Sequence, residues 1–543
     1  MPFRRHPRRV AREAKNAQAL RAMGLDASLA AGFLGDLVFQ GDPNYNADRQ
    51  VANPAFQADP FVIAYCIAPS DVAWCLSTVQ AQPHPMAFVC RSGGHNTAGY
   101  STIQGGMIID TSRLNGVAMF PTLLPPSPSF PMPPFQMPPY AGVVMVGPGT
   151  QFANLNSYLS SYMLHVPGGG CGDVCVGGYM QGGGYGFTSR AFGMNSDNVV
   201  GFTMMLFDGS VVTADRNTNA DLFWAVRGGT GNNFGVLLQV AYGVQFVPSV
   251  WGVWLQWPIA NAATALLAMQ ENYMLSGAPS TFGYMTVITV QNGTPVLTMR
   301  AMFIGSEADL NAQIQPLLDT PGAGSPPNFP LVQQGTYAAM NTALLETPYD
   351  IPQLPPNITW GEDKQAGYIE TTLGLSDWQA IIDYYLSGPP PYSTLVIEPY
   401  GGAINQVPVG DSAFIHRTVA MDFFVDVFWD MSGNGEAQAK QWLDGFMQLM
   451  QPYFNGHVYQ NYPRGSLPNF QQAYWGRAAY ATLVEVKNKY DPGNVFNFPQ
   501  SIGTSLQELN LKRMPTAADA FLKMPIVYMR DLVAQDAKKG SLG

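Results

Sequence analysis

Cysteine, charge and uninterrupted apolar sequence are all scarce in this chain. Five cysteines in 543 residues, at positions 66, 75, 90, 171 and 175, are too few and too odd a number for a disulfide framework. Cys66, Cys75 and Cys90 lie among apolar residues and read as inert core thiols. Cys171 and Cys175 have the spacing of a metal pair, but no His or Cys lies near enough to complete a site, so no metal is expected. Charged residues make up 12% of the chain, against roughly 25% in an ordinary domain, so much of the surface must be neutral. A net charge of −10 argues against a nucleic-acid partner. No apolar run approaches the roughly 18 residues of a membrane helix. Residues 1–12 carry paired arginines, yet no apolar segment follows, so the expectation is a chain without a signal peptide, in the cytoplasm. The G-x-G-x-x-G dinucleotide fingerprint is missing as well.

Glycine and proline, by contrast, are plentiful at 56 and 44 residues. Residues 121–139 hold nine prolines, which precludes regular structure and reads as a stiff polyproline loop between two strand-like runs. The densest glycine run is Pro167-Gly168-Gly169-Gly170-Cys171-Gly172-Asp173-Val174-Cys175-Val176-Gly177-Gly178-Tyr179, continuing to Gly182-Gly183-Gly184-Tyr185-Gly186. Each glycine forfeits side-chain packing and costs backbone entropy, so this chain must pass close to something flat or anionic. Upstream, Ala87, Phe88 and Val89 lead into Arg91-Ser92-Gly93-Gly94-His95, a strand entering a tight turn. Glycines there let backbone N–H groups approach an anion such as a diphosphate, Arg91 adds charge, and His95 sits beside the ligand.

The length accommodates about two to four domains. Residues 1–40 read as a helical extension, amphipathic over 11–23 and broken at Gly24. Over 41–246, short apolar runs alternate with glycine turns and a few helical stretches such as 70–80, the texture of an α+β domain. Over 247–458 the texture changes. Trp251, Trp254 and Trp257, then 282–290 and 296–303, predict strands, the last two forming a hairpin about Asn292-Gly293. Helices are predicted over 262–273 and 437–450, and residues 506–543 read as a tail with one helix at 517–534.

Six motifs, in order across 60–505, resemble the berberine-bridge-enzyme-like flavoproteins of the vanillyl-alcohol-oxidase/PCMH superfamily. Arg91-Ser92-Gly93-Gly94-His95 resembles the family's flavin-attaching motif, and Ile109-Asp110-Thr111-Ser112-Arg113-Leu114-Asn115 its next strand and turn. Val146-Gly147-Pro148-Gly149-Thr150 follows, then Cys171, where many members attach flavin a second time. Asp221-Leu222-Phe223-Trp224-Ala225-Val226-Arg227-Gly228-Gly229 with Asn233-Phe234-Gly235-Val236 resembles a further family block. Tyr474-Trp475-Gly476, Val486-Lys487, Asp491-Pro492, Asn494-Val495-Phe496 and Gln500-Ser501-Ile502 resemble its terminal segment.

The resemblance implies an α+β fold: a PCMH-type FAD-binding domain of two α/β subdomains over 41–246, to which 459–505 returns. A substrate domain over 247–458 would roof the flavin with an antiparallel sheet flanked by helices. It implies FAD bonded through the 8α-methyl carbon to His95 and through C6 to Cys171, with Cys175 as the competing thiol. Ser92, Gly93, Gly94 and Asn96 would join Arg91 around the cofactor. So would Val174, Gly177, Gly178, Gly182, Gly183, Tyr185, Gly186, Asn461, Asn497 and Gln500. Val174 stands where side-chain size is associated with oxygen access. Tyr459-Gln460-Asn461-Tyr462 resembles a segment carrying an active-site tyrosine, although Arg464 stands where the family has Asp. A phenol needs a neighbouring cation or hydrogen-bond chain to act as base. After His416-Arg417, the strand that bears a catalytic Glu or Gln in some members has Phe424 at that place. Asp422 and Asp426 share its face by period-two alternation. Either tyrosine and either aspartate are therefore candidates for the base. The implied function is an oxidase taking hydride from an alcohol carbon of a sugar or secondary metabolite, with O2 as acceptor and H2O2 as product. An oxidative cyclase, a dehydrogenase or a catalytically silent flavin binder are the alternatives. The implied partners are a small-molecule substrate and O2, with neither nucleic acid nor membrane, in a monomer or homodimer.

Overall fold

The computed structural model describes residues 7–22, 32–81, 85–120, 140–274, 278–327, 329–345, 354–355, 357–388 and 392–506. The proline-rich loop at 121–139 and the tail helix at 517–534 lie outside them. Three sheets organise the described chain.

The first sheet contains β1 (Asp36–Phe39), β2 (Val62–Tyr65), β3 (Phe88–Arg91) and β4 (Met107–Asp110), in the order β1-β2-β4-β3. β4 runs parallel to both β2 and β3, while β1 is antiparallel to β2. Short continuous apolar runs such as Val-Ile-Ala-Tyr and Met-Ile-Ile-Asp suit strands covered on both faces. The helix Pro69–Val79 covers one face through Trp74, Cys75 and Leu76. β1 falls inside the stretch expected to be a helical extension. The sheet therefore starts before residue 41, because Leu37 and Phe39 alternate inward as strand residues do. Helix Pro7–Ala22 precedes it.

The second sheet contains β5 (Val117–Phe120), β6 (Gly142–Val146), β7 (Leu164–His165), β8 (Val199–Met205), β9 (Val211–Ala214) and β10 (Val236–Phe246). It is antiparallel, ordered β5-β6-β10-β8-β9, with β7 also on β10. The C-terminal helix Phe470–Tyr490 shares this sheet's core through Tyr474, Trp475, Tyr480 and Leu483. Lys487 is buried there, donating to Asp491 at 2.7 Å and to the carbonyls of Asn233 and Phe496. A buried ammonium with three acceptors fastens the segment after this helix to the sheet.

The third sheet is antiparallel and contains β11 (Val250–Pro258), β12 (Phe282–Gln291), β13 (Thr294–Phe303), β14 (Val332–Gly335), β15 (Trp360–Ile369), β16 (Ser393–Pro399) and β17 (Met421–Asp430). Its order is β14-β11-β13-β12-β16-β17-β15. The predicted hairpin is present, with Asn292 and Gly293 both at positive φ as a two-residue type I′ turn requires. The predicted helix at 262–273 is α-helical only to Met269, then widens into a π turn over Gln270–Met274. One face of β17, with Phe423, Val425, Val427 and Trp429, packs on the helices Leu375–Ser387 and Glu436–Met450. The opposite face, with Asp422, Phe424 and Asp426, is left for the site.

Candidate active site

Two walls meet at the site. The first is backbone. β3 ends at Arg91, whose Nε donates to Asp110 Oδ2 at 2.6 Å in a buried pair. Arg91 was expected to lend its charge to a ligand; instead Asp110 neutralises it, and it serves as a strut under the turn. Gly93 and Gly94 follow. A side chain at Gly93 would press on Cys175, whose N and Sγ lie 3.1 and 3.2 Å from a Cβ there. Asn96 caps the loop, accepting from the N–H groups of Ala98 and Tyr100.

The glycine run forms the rest of this wall. Cys171, Gly172, Asp173 and Val174 make a turn closed by Val174 N–H to the Cys171 carbonyl. The start of the helix Phe152–Ser160 pins that turn, with Phe152 donating to Val174 and Ala153 to Gly172. The turn tip presents Asp173 to His95, with Nε2 3.2 Å from Oδ2. Cys171 is exposed, whereas Cys175 is buried with Sγ 3.4 Å from the Gly149 carbonyl. Burial pushes the Cys175 thiol up to about 12. Cys171 is raised too, by the protein around it, with Lys364 drawing it back down. Gly178 is exposed within the helix Val176–Gln181, and the nearest atom to a Cβ there would be Ser92 Oγ at 3.9 Å.

The turn at Gly182, Gly183 and Gly184 is held from the other end of the chain. A Cβ at Gly182 would collide with the Asn461 amide, and Gly183 and Gly184 have φ of 116° and 82°. The Tyr459 oxygen accepts from the N–H groups of Gly184 (2.8 Å) and Tyr185 (3.0 Å) and from Asn461 Nδ2 (3.1 Å). Three donors on one phenol oxygen make Tyr459 an anchor of the glycine turn. Tyr185 stacks on Tyr400 at 5.2 Å and donates to the Pro399 carbonyl. Thr97 donates to the Pro463 carbonyl, bringing the His95 loop against the segment that carries Tyr462. Asn497 and Gln500 lie in the closing loop; Gln500 accepts from Tyr474 and donates to the Arg464 carbonyl.

The second wall is made of side chains on the third sheet. The Tyr462 hydroxyl lies 3.2 and 3.3 Å from the two Glu398 carboxylate oxygens. Lys364 Nζ sits 4.6 Å from the Tyr462 ring centroid, 4.3 Å from that of Phe424 and 3.2 Å from Asp426. Register explains the cluster: Lys364 lies directly opposite Asp426, and Glu398 directly opposite Asp422. Burial raises the Glu398 carboxyl to about 7, with Lys364 and the Tyr462 hydroxyl opposing it. Burial would push Lys364 down, but Asp426 and Glu362 hold it above its ordinary value. Burial raises Asp426 more than Lys364 lowers it. Asp422 is raised well above its ordinary value, by burial and then Glu398, and neither of its oxygens has a hydrogen-bond partner. A carboxyl in that position keeps its proton.

Lys364 and Glu398 escaped the sequence reading. Lys364 follows Glu362 and Asp363 and reads as part of a solvated run, while Glu398 ends the otherwise apolar Thr-Leu-Val-Ile run. That lone acid in a buried strand was the available signal. Trp257 and Tyr400 are fully buried in the protein. Among the described residues, no helix is long and apolar enough to cross a membrane, and no cluster of His, Cys, Asp and Glu is arranged to hold a metal.

An FAD binding domain matches residues 63–215, which hold the first wall, and a berberine and berberine-like domain matches 458–503, which closes it. The chain is 29% identical to the FAD-linked oxidoreductase YvdP of Bacillus subtilis over 482 residues, covering 87% of this chain and 98% of the relative. It is 27% identical to chitooligosaccharide oxidase of Gibberella zeae, covering 85% and 91%. Physcomitrella patens BBE-like 1 shares the fold with a TM-score of 0.75 at 23% identity, covering 88% of this chain and 98% of that structure. Fold and cradle thus define an FAD-binding oxidoreductase with an α+β, PCMH-type architecture. Within that class, the chain carries an FAD binding domain and a berberine and berberine-like domain, and its similarities lie with berberine-bridge-enzyme-like oxidases.

Proposed function

We propose that the protein is an FAD-dependent oxidase of an alcohol carbon, on a saccharide or a related secondary metabolite, with its flavin attached through His95 and Cys171. The Tyr462–Glu398 hydrogen bond, on the sheet face opposite the cradle, carries this reading. The residues present fit FAD: an accessible imidazole and thiol flank a glycine wall whose exposed face at Gly178 meets only Ser92 Oγ. Cys171 is favoured over Cys175 because its thiol is open, while that of Cys175 is packed behind Gly93. Bound there, FAD would accept hydride from the carbinol carbon and pass the electrons to O2, yielding hydrogen peroxide.

The protein's part is to move one proton. Burial holds the Tyr462 phenol well above its ordinary value, so it does not stand as a phenolate. Glu398, at about 7, is the better resting base. As the substrate hydroxyl gives its proton to the Tyr462 oxygen, the phenol proton passes to Glu398, so Tyr462 relays the charge without keeping it. Lys364, near the face of the Tyr462 ring, stabilises the negative character that develops during transfer. Asp422 and Tyr459 do not compete for this role: the first holds its proton and the second is occupied by three N–H donors.

The test is a panel of neutral oligosaccharides and small alcohols, followed anaerobically by bleaching of the flavin band and then aerobically by peroxide. Bleaching with peroxide supports the oxidase. Bleaching without reoxidation by air identifies a dehydrogenase, and bound flavin that no substrate reduces identifies a silent binder.

A further inference from the structure

We propose that Asp173 is a positioning residue for flavin attachment. Its carboxylate holds the proton of His95 on Nε2, leaving the lone pair on Nδ1 to bond the flavin's ring methyl carbon. The proposal rests on the reading that FAD is linked through His95. A neutral imidazole has one N–H and one lone pair, and the nitrogen that keeps the proton is set by what the other atoms offer it. Asp173 Oδ2 lies 3.2 Å from Nε2, so the negative charge of the carboxylate favours the proton on that nitrogen over the more distant Nδ1. The Nε2–H tautomer follows, with Nδ1 nucleophilic.

Folding does not require this pair. The Asp173 side chain is 66% exposed and that of His95 28%, and ion pairs in such settings contribute little stability. The turn itself is held by backbone: Val174 to Cys171, Ala153 to Gly172 and Phe152 to Val174. The same short turn therefore carries the open thiol of Cys171 and the acid that orients the imidazole. His95 comes from a separate loop, after β3.

The step balances as follows. A bond forms between His95 Nδ1 and the ring methyl carbon, and one methyl C–H bond breaks. The imidazole becomes cationic as its lone pair is used, and the Asp173 carboxylate offsets that charge until Nε2 releases its proton. One hydrogen leaves the methyl and one leaves the imidazole. The two electrons pass to molecular oxygen, which departs as one hydrogen peroxide per link.

The test uses the full chain in a Cys171→Ala background, so that His95 is the only proposed attachment. Protein produced under flavin limitation is incubated with FAD in air. Total bound FAD and SDS-resistant in-gel flavin fluorescence are then followed with time. Asp173→Ala should bind the same total FAD but attach it about tenfold more slowly, through the loss of the one carboxylate charge beside Nε2. Asp173→Asn keeps an acceptor oxygen without the charge and should fall between the two. Digestion of the linked protein should release the Nδ1-substituted histidyl flavin, identified against both synthetic isomers. Attachment in Asp173→Ala as fast as in the parent, or an Nε2-linked product, overturns the proposal. A parent that never acquires SDS-resistant flavin overturns the His95 linkage itself, and the proposal with it; that failure shows in the parent alone.

Discussion

The two walls of the site are built on opposite principles. The cradle is backbone: its glycines, its pinned turn and its strut from Arg91 to Asp110 lie within about a hundred residues and are shaped by what side chains would obstruct. The sheet wall is side chain: Lys364, Glu398, Asp422 and Asp426 come from three strands and meet through register alone. In the cradle a wrong residue blocks space, whereas on the sheet it misplaces charge. Mutations in the first should therefore empty the site, and mutations in the second should leave it filled but slow.

Gly182→Val gives the largest effect. Its side chain would run into the Asn461 amide that holds the glycine turn, so purified protein should retain less than a tenth of the wild-type flavin, read as absorbance per chain. Glu398→Gln should keep full flavin and slow anaerobic reduction by roughly 10²-fold, the usual worth of a positioned base. The wild-type pH profile sharpens the point. Below about 7, Glu398 holds a proton and cannot take another, so reduction should speed up as pH rises through that value, and Glu398→Gln should flatten this limb. Lys364→Met should cost about tenfold in reduction rate by removing the cation beside the Tyr462 ring. It should also move the same limb to higher pH, because Lys364 lowers Glu398. The smallest effect falls to Asp422→Asn, within about threefold in rate, since one neutral group replaces another. A hundredfold loss there would return Asp422 to the role assigned to Glu398.

Legibility followed the same division. The Arg91 to His95 turn and the glycine run with Cys171 were readable because glycine spacing and a neighbouring nucleophile are local facts of the chain. The hairpin at Asn292-Gly293 was readable for the same reason, two residues dictating one turn. β1 lies where the sequence predicts a helical extension, because four residues give too short a pattern to outweigh the helical run before them. The base was not readable. Asp422 and Asp426 stood out as acids on an apolar strand, yet one of them faces a cation and the other faces Glu398, and nothing in the order of residues separates those neighbours. Tyr459 and Tyr462 could not be told apart either, until one was found holding the glycine turn and the other touching Glu398.

By itself, the amino-acid sequence determined the class of cofactor domain and the glycine turns that shape its cradle, because glycines act through the backbone geometry of their own segments. Only the tertiary structure decided which carboxylate is poised near neutrality and which is a silent acid. That depends on the cation and phenol that strand register places within a few ångströms in a buried setting, and such distances are written in no single stretch of chain.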